Sequence, residues 1–372
     1  VNHPEYWEYA ALDTAITARL AEELWPRTKP YREAYELELA VTWVLLDMET
    51  RGMKVDVEYC ERERVRLLDE LEVIERRWPN LNLHSSDQVS DFLQAEGVAL
   101  THRTASGDAY SLTADVLAQV EHPIAEDVAQ ARERRKVVGT YLDNYLEYEV
   151  DGLLHCNINP LGAEKTGRMS ISRPSFQNIP RTKLARSAIT ARPGNKLLLI
   201  DYQAQETRLV AHFANDPELL RAFAEDLDVH TYVASLIYGV PMEDVLPEQR
   251  RKAKQGGHAR NYGAGASKVA LTVDVSVPEA TAFVRAYDAK FKNIPELHRK
   301  LARTLKERAV NGWSYVRTYG GRDVKVPMKK SYVGMNYLIQ GSGSDVLKRG
   351  MVNADRNGVG QYLVLPVHDE TL

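Results

Sequence analysis

The sequence predicts an α+β fold, and three observations carry that prediction. Three apolar stretches have the composition of short strands: "DGLLHCNINP" from Asp151, "NKLLLIDY" from Asn195 and "YLVLPVHDETL" from Tyr362. Mostly helical patterns, from Gln205 to Ala309, separate the last two, and a few strands parted by a long helical insertion is an α+β arrangement. Hydrophobic residues make up 44% of the chain and charged residues 27%, a balance that calls for a packed core rather than disorder.

Taken in order, Pro30 to Asp56 shows apolar residues at three- and four-residue intervals and reads as a helix stopped by Gly52. Glu58 to Trp78 is a second helix, charged on its outer side. "WPNLNLHSSDQ" is a loop whose Ser and Asp are good N-cap residues for a helix starting near Gln88. "HRTASGDAYSL" is polar and turn-rich, the composition of a mobile loop. Pro123 to Val150 reads as one long helix carrying "RERRK". The strand-like runs and helical patterns follow, with a Gly-rich break at "RTYGGRD".

At 372 residues the chain suits two or three domains. Its net charge of −4 excludes a global basic field, so any nucleic-acid surface must be local. Two cysteines, Cys60 and Cys156, argue against a disulfide scaffold or structural zinc site and fit a reducing cytoplasm. No apolar run reaches the roughly 18 residues that span a bilayer, and no signal peptide is expected. The chain starts at Val1 and stops at Leu372, as a piece cut from a longer protein would.

Two features point to chemistry. Asp201 ends one apolar strand, and Asp369 and Glu370 end another. Apolar strands bury themselves, so a carboxylate there is costly unless paired or bound to a cation. If the strands are neighbours the carboxylates converge, and hard oxygen ligands of that kind suit Mg²⁺ with substrate phosphates. Either aspartate alone is what many strand ends carry. The second feature is "RRKAKQGGHARNYGAG", from Arg250 to Gly265. Arg250, Lys254, His258 and Tyr262 recur every fourth residue, hence on one helix face. Arg offers a fork to phosphate oxygens and Lys a point charge. Gly256 and Gly257 each cost about 1 kcal/mol against Ala in a helix, which is explained if they leave the surface bare for an approaching ligand. The bland alternative is a solvated charged face.

Those residues, with others, resemble DNA polymerase family A. "DYQAQETRLVAHFA" resembles its first palm motif, and the basic stripe is similar to its fingers helix. "PVHDE", "KTGRMSISRPSFQNIPR", "ARERRKVVGTY" and "MNYLIQGSGSD" resemble further motifs in the family's order. "YAALD", with Tyr9 and Asp13, resembles the last motif of a 3′–5′ exonuclease domain.

The resemblance implies a right-hand polymerase with mostly helical thumb and fingers and a small antiparallel palm sheet. Residues 1–30 would be an exonuclease remnant and 31–150 the thumb and connecting helices. The palm would take 151–228 and 320–372, the fingers 229–319. It implies two Mg²⁺ ions held by Asp201, Asp369 and the Tyr202 carbonyl, with Glu370 as an accessory carboxylate. Arg250 would bind the outer phosphates and Lys254 the reacting one, with His230 near the triphosphate. Glu206 would crowd the sugar 2′ position, with Gln205 beside it and His258 at the sugar.

Tyr262 would lie at the templating base. Arg168 and Gln340, helped by Asn336, would reach the minor-groove edge of the primer-terminal pair, where A·T and G·C share acceptors. Arg132 and Lys136 would grip the duplex backbone; Gln177, Asn178 and Arg208 would organise the site. Partners would be primer-template DNA and dNTPs, the protein a monomer in the cytoplasm. Where the family has Phe or Tyr this chain has His258, and "QAQ" also departs; both lean towards a viral source. The rival expectations are a single-subunit RNA polymerase and a non-catalytic DNA-binding fragment.

Overall fold

The computed structural model describes residues 3–104, 107–179, 183–367 and 370–372. The chain forms two compact units.

One unit comprises residues 48–158 and 171–198. Its longer helices are Val57–Glu75, Ser86–Ala95 and a segment from Pro123 to Tyr148. The first starts at Asp56, whose carboxylate accepts from the Tyr59 amide at 2.9 Å, and the second at Ser85, which accepts from Gln88 at 3.3 Å, close to where the sequence places it. Leu71, Ile74, Leu83, Val89, Leu93, Ile124 and Val128 form the core between them. The segment from Pro123 is not one helix to Val150. It is α-helical over Pro123–Lys136, widens to a π-helix over Val137–Leu142, and ends at Tyr148. Across this widened stretch and the turn after it Val138, Tyr141, Leu142 and Tyr145 are all buried. Glu149–Val150 instead pairs antiparallel with Leu153–Leu154, which also pairs with Met53–Lys54. Asp151 and Gly152, both at positive φ, make the two-residue turn.

The other unit comprises residues 1–47, 159–170 and 199–371. The helix Gly334–Arg356 runs through its core, burying Met335, Leu338, Ile339, Leu347 and Met351. Packed round it are Gln205–Ala214, Asn293–Glu307 and an antiparallel hairpin, Trp313–Arg317 with Asp323–Pro327. The sequence showed only a glycine break there. The hairpin buries Ser314, Val316, Val324 and Val326 on one face by strict alternation.

Two strand expectations are corrected. In "NKLLLIDY" only Ile200–Asp201 is a strand, and Leu198, Leu199 and Ile200 are more than half exposed. This strand lies at the edge of a three-stranded antiparallel sheet ordered Ile200–Asp201, Glu370–Thr371, Pro366–Val367. Paired on one side over two residues, it leaves its apolar side chains uncovered. "YLVLPVHDETL" is likewise two short strands rather than one, because Pro366–Val367 pairs with Glu370–Thr371. The small antiparallel sheets beside long helices make the fold α+β. Among the described residues no helix is long and apolar enough to cross a membrane.

Candidate active site

The stripe lies on the helix Pro247–Asn261, with Tyr262 as its C-cap. Arg250, Lys254 and His258 share its exposed face. Gly256 and Gly257 are buried on the opposite one, which corrects their expected role. A Cβ on Gly256 would lie 2.7 Å from the Phe283 ring, and one on Gly257 3.1 Å from Tyr287. These glycines let the helix Val277–Lys290 approach closely; they do not clear a path for a ligand.

Arg250 Nε donates to Asp228 Oδ2 at 2.6 Å. Asp228 is the N-cap of the helix Val229–Tyr238, accepting from the His230 amide at 3.1 Å and the Thr231 hydroxyl at 2.8 Å. Burial raises the Asp228 carboxyl, but the Arg250 hydrogen bond and those of Thr231 and His230 outweigh it and hold it at about 2. His230 is pushed down to about 4, by burial first and then by the Lys254 charge, so it is neutral at pH 7. Asp228 was missed in the sequence; "DLDVH" carries an N-cap signal for it.

The second grouping centres on Glu206. Ala204, at φ +52°, turns the chain from the edge strand into the helix Gln205–Ala214 and places Glu206 in its first turn. Arg168 Nη2 donates to Glu206 Oε1 at 2.9 Å. The Tyr262 hydroxyl donates to Glu206 Oε2, and His258 Nδ1 lies 3.6 Å from that oxygen. Burial raises the Tyr262 phenol well above its ordinary value, the Glu206 charge raises it further, and Arg168 and Gln340 oppose. The His258 and Tyr262 rings meet edge-on at 5.1 Å. Arg168, Glu206, His258, Tyr262 and Gln340, dispersed in sequence, are thus one cluster.

Gln205 departs from expectation. It is buried, donates to the Gly343 carbonyl at 3.3 Å, and faces the core rather than a nucleotide. Asn336 is half-buried on the helix Gly334–Arg356. Arg208 lies over the Phe223 ring at 4.3 Å and donates to the Gln203 carbonyl.

Asp201 is exposed, and its backbone stands opposite Glu370 in the antiparallel register. Asp369 lies outside the described residues. The Tyr202 hydroxyl packs at Gly350, where a Cβ would come within 2.3 Å of it. Among the described residues no group of three or more His, Cys, Asp or Glu is poised for a metal.

In the unit of residues 48–158 and 171–198, Arg132 corrects its expectation. It donates to the Leu83 carbonyl at 3.0 Å, the Leu112 carbonyl at 2.9 Å and Ser86 Oγ at 3.4 Å, so its guanidinium is committed to holding loops together. Lys136, one turn on, is exposed. Asn178 accepts the Tyr141 hydroxyl on its carbonyl, and Gln177 is half-buried.

The model of "DNA polymerase family A" matches residues 57–372. A thermostable DNA polymerase I of Thermus thermophilus is 32% identical over 99% of this chain and 47% of its own length. A DNA polymerase of Mycobacterium phage L5 is 30% identical over 99% of this chain and 61% of its own. The chain thus spans about half the length of several curated relatives. A solved structure, described as the POL domain of Pol1 from M. smegmatis in complex with DNA primer-template and dNTP, superposes with a TM-score of 0.82 at 28% identity. It covers 95% of this chain and 66% of that one. The ordered motifs, the α+β architecture and these matches lead to one conclusion: the chain belongs to DNA polymerase family A.

Proposed function

We propose that the chain is the catalytic part of a template-directed DNA polymerase that adds deoxynucleotides to a primer 3′ end. The observation that carries the reading is the convergence on Glu206 of Arg168, Tyr262 and His258, beside the exposed Arg250 and Lys254. Its solved neighbour is described as bound to primer-template and dNTP, which supports the same partners here.

In this reading the primer 3′-oxygen attacks the α-phosphorus of the incoming nucleotide and pyrophosphate departs. Arg250 takes the outer phosphates through guanidinium nitrogens beyond the Nε given to Asp228. Lys254 neutralises charge at the reacting phosphate and donates a proton to pyrophosphate. Neutral His230 offers a hydrogen bond to the triphosphate without competing charge. Glu206 crowds the sugar 2′ position. Arg168 and Gln340 reach the primer-terminal pair and check its shape. Lys136, Gln177 and Asn178 meet the duplex.

The exposed Asp201 carboxylate and the Tyr202 carbonyl are hard oxygen donors of the type Mg²⁺ takes. With Asp369 they would hold two ions, whose chemistry is to lower the pKa of the primer hydroxyl and stabilise the leaving pyrophosphate. Glu370 stands by as an accessory.

Primer extension with Mg²⁺ on primed DNA, wild type beside Asp201→Ala, tests this. Extension lost in the variant supports the reading. Binding of primer-template without extension in the wild type would replace it with a DNA-binding role, and preference for rNTPs with an RNA polymerase.

A further inference from the structure

A second charge network, largely buried, lies in the same unit. Lys348, fully buried on the helix Gly334–Arg356, donates to both Glu38 oxygens at 2.8 Å. Arg322 Nη2 donates to the same Glu38 and to Asp345 Oδ1 at 2.8 Å. Asp345, 1% exposed, also accepts from the Thr318 hydroxyl and from the Gly320 amide at 2.9 Å. The turn that carries Arg322 is thereby fixed.

The guanidinium is fixed over one backbone position. A Cβ on Gly167 would lie 1.8 Å from Arg322 Nη1 and 2.6 Å from its Cζ. Gly167 has φ +63°, and Ser344 Oγ donates to its carbonyl at 2.6 Å. Among the described residues Arg322 Nη1 and Nε are buried without hydrogen-bond partners, and Nη1 is the guanidinium nitrogen nearest the Gly167 position. The next residue is Arg168, which holds Glu206.

We propose that Arg322 is a positioning residue: held by Glu38 and Asp345, it presses on Gly167 and sets the backbone from which Arg168 reaches Glu206. Lys348 holds Glu38 in place, and Ser344 pins the Gly167 carbonyl. None of these five side chains is assigned a contact with a reacting atom. Their effect passes through Arg168 alone, and it rests on the polymerase reading only where extension is the readout.

The test is a double-mutant cycle of Arg322→Gln and Arg168→Ala, followed in parallel by primer extension and by the Arg168 guanidinium ¹⁵N resonances of the free protein. Arg322→Gln should lower the extension rate about tenfold with little change in dNTP KM, and should have no further effect in the Arg168→Ala background. Arg322→Lys, which keeps the charge but not the flat fork, should keep the fold and still lower the rate. The Arg168 resonances should shift or broaden in Arg322→Gln. Multiplying effects in the cycle, or unchanged Arg168 resonances in a folded Arg322→Gln, would overturn the proposal. A wild type that does not extend primers defeats the polymerase reading instead, and the resonances still decide the role of Arg322.

Discussion

Glu206 divides its two oxygens between two partners: Arg168 holds Oε1 at 2.9 Å and the Tyr262 hydroxyl holds Oε2. Two elements from distant parts of the sequence therefore meet on one carboxylate. The arrangement predicts coupling. Tyr262→Phe and Glu206→Gln should each destabilise the fold by about 1 kcal/mol, with the double variant costing less than their sum. Urea unfolding of the four proteins measures it, and simple additivity would count against a real hydrogen bond.

The buried glycines give a prediction opposite to the one their positions in sequence invite. Gly256→Ala gains about 1 kcal/mol of helix propensity but drives a methyl into Phe283, so the net effect should be a loss of about 1–2 kcal/mol. Gly257→Ala, with more room, should be near neutral. Neither should alter dNTP KM in a folded protein. A stabilised Gly256→Ala would show that the two helices are not packed this closely.

His258 stands 3.6 Å from a Glu206 oxygen that already accepts from Tyr262. Its ring also meets the Tyr262 ring edge-on at 5.1 Å. A larger apolar ring there would change the nucleotide side of the cluster. His258→Phe should therefore shift apparent dNTP affinity with little change in folding stability, read from dNTP titrations of primer extension and from urea unfolding. An unchanged affinity would remove His258 from nucleotide selection.

His230 should make stability fall with acid. Its folded value is about 4 against an ordinary 6.5, so between those values the unfolded chain binds more protons and stability rises with pH. The contribution is complete above about pH 6.5 and lost by about pH 4. Asp228, held at about 2 from an ordinary 3.8, adds a second loss at lower pH. In His230→Gln the first loss should disappear while the second persists. Thermal melts from pH 2 to 8 separate the two windows.

Arg132 and Lys136, adjacent on one helix, should behave differently. Arg132→Ala removes donors from two loop carbonyls and should cost about 1–3 kcal/mol of stability. Lys136→Ala should leave stability within about 0.5 kcal/mol and weaken primer-template binding with a shallower salt dependence. Equal effects of the two on the salt slope would return Arg132 to the DNA surface.

Local patterns made much of this molecule legible. Ser85 as an N-cap, the helix beginning at Val57 and the four-residue stripe follow from short-range rules, because caps and helix faces depend only on neighbours a turn away. So does the place of Glu206, one residue into a helix after a strand. The sequence could not decide which way a side chain faces once helices pack. Gly256 and Gly257 turned inward because Phe283 and Tyr287 come from another helix, and Gln205 turned to Gly343 for the same reason. It also could not foresee that Leu198 to Ile200 stay exposed, since burial of a strand depends on what covers it. The charges Glu38, Arg322, Asp345 and Lys348 share no spacing at all; only the tertiary fold makes them one network, because a buried charge finds its partner through space and not along the chain.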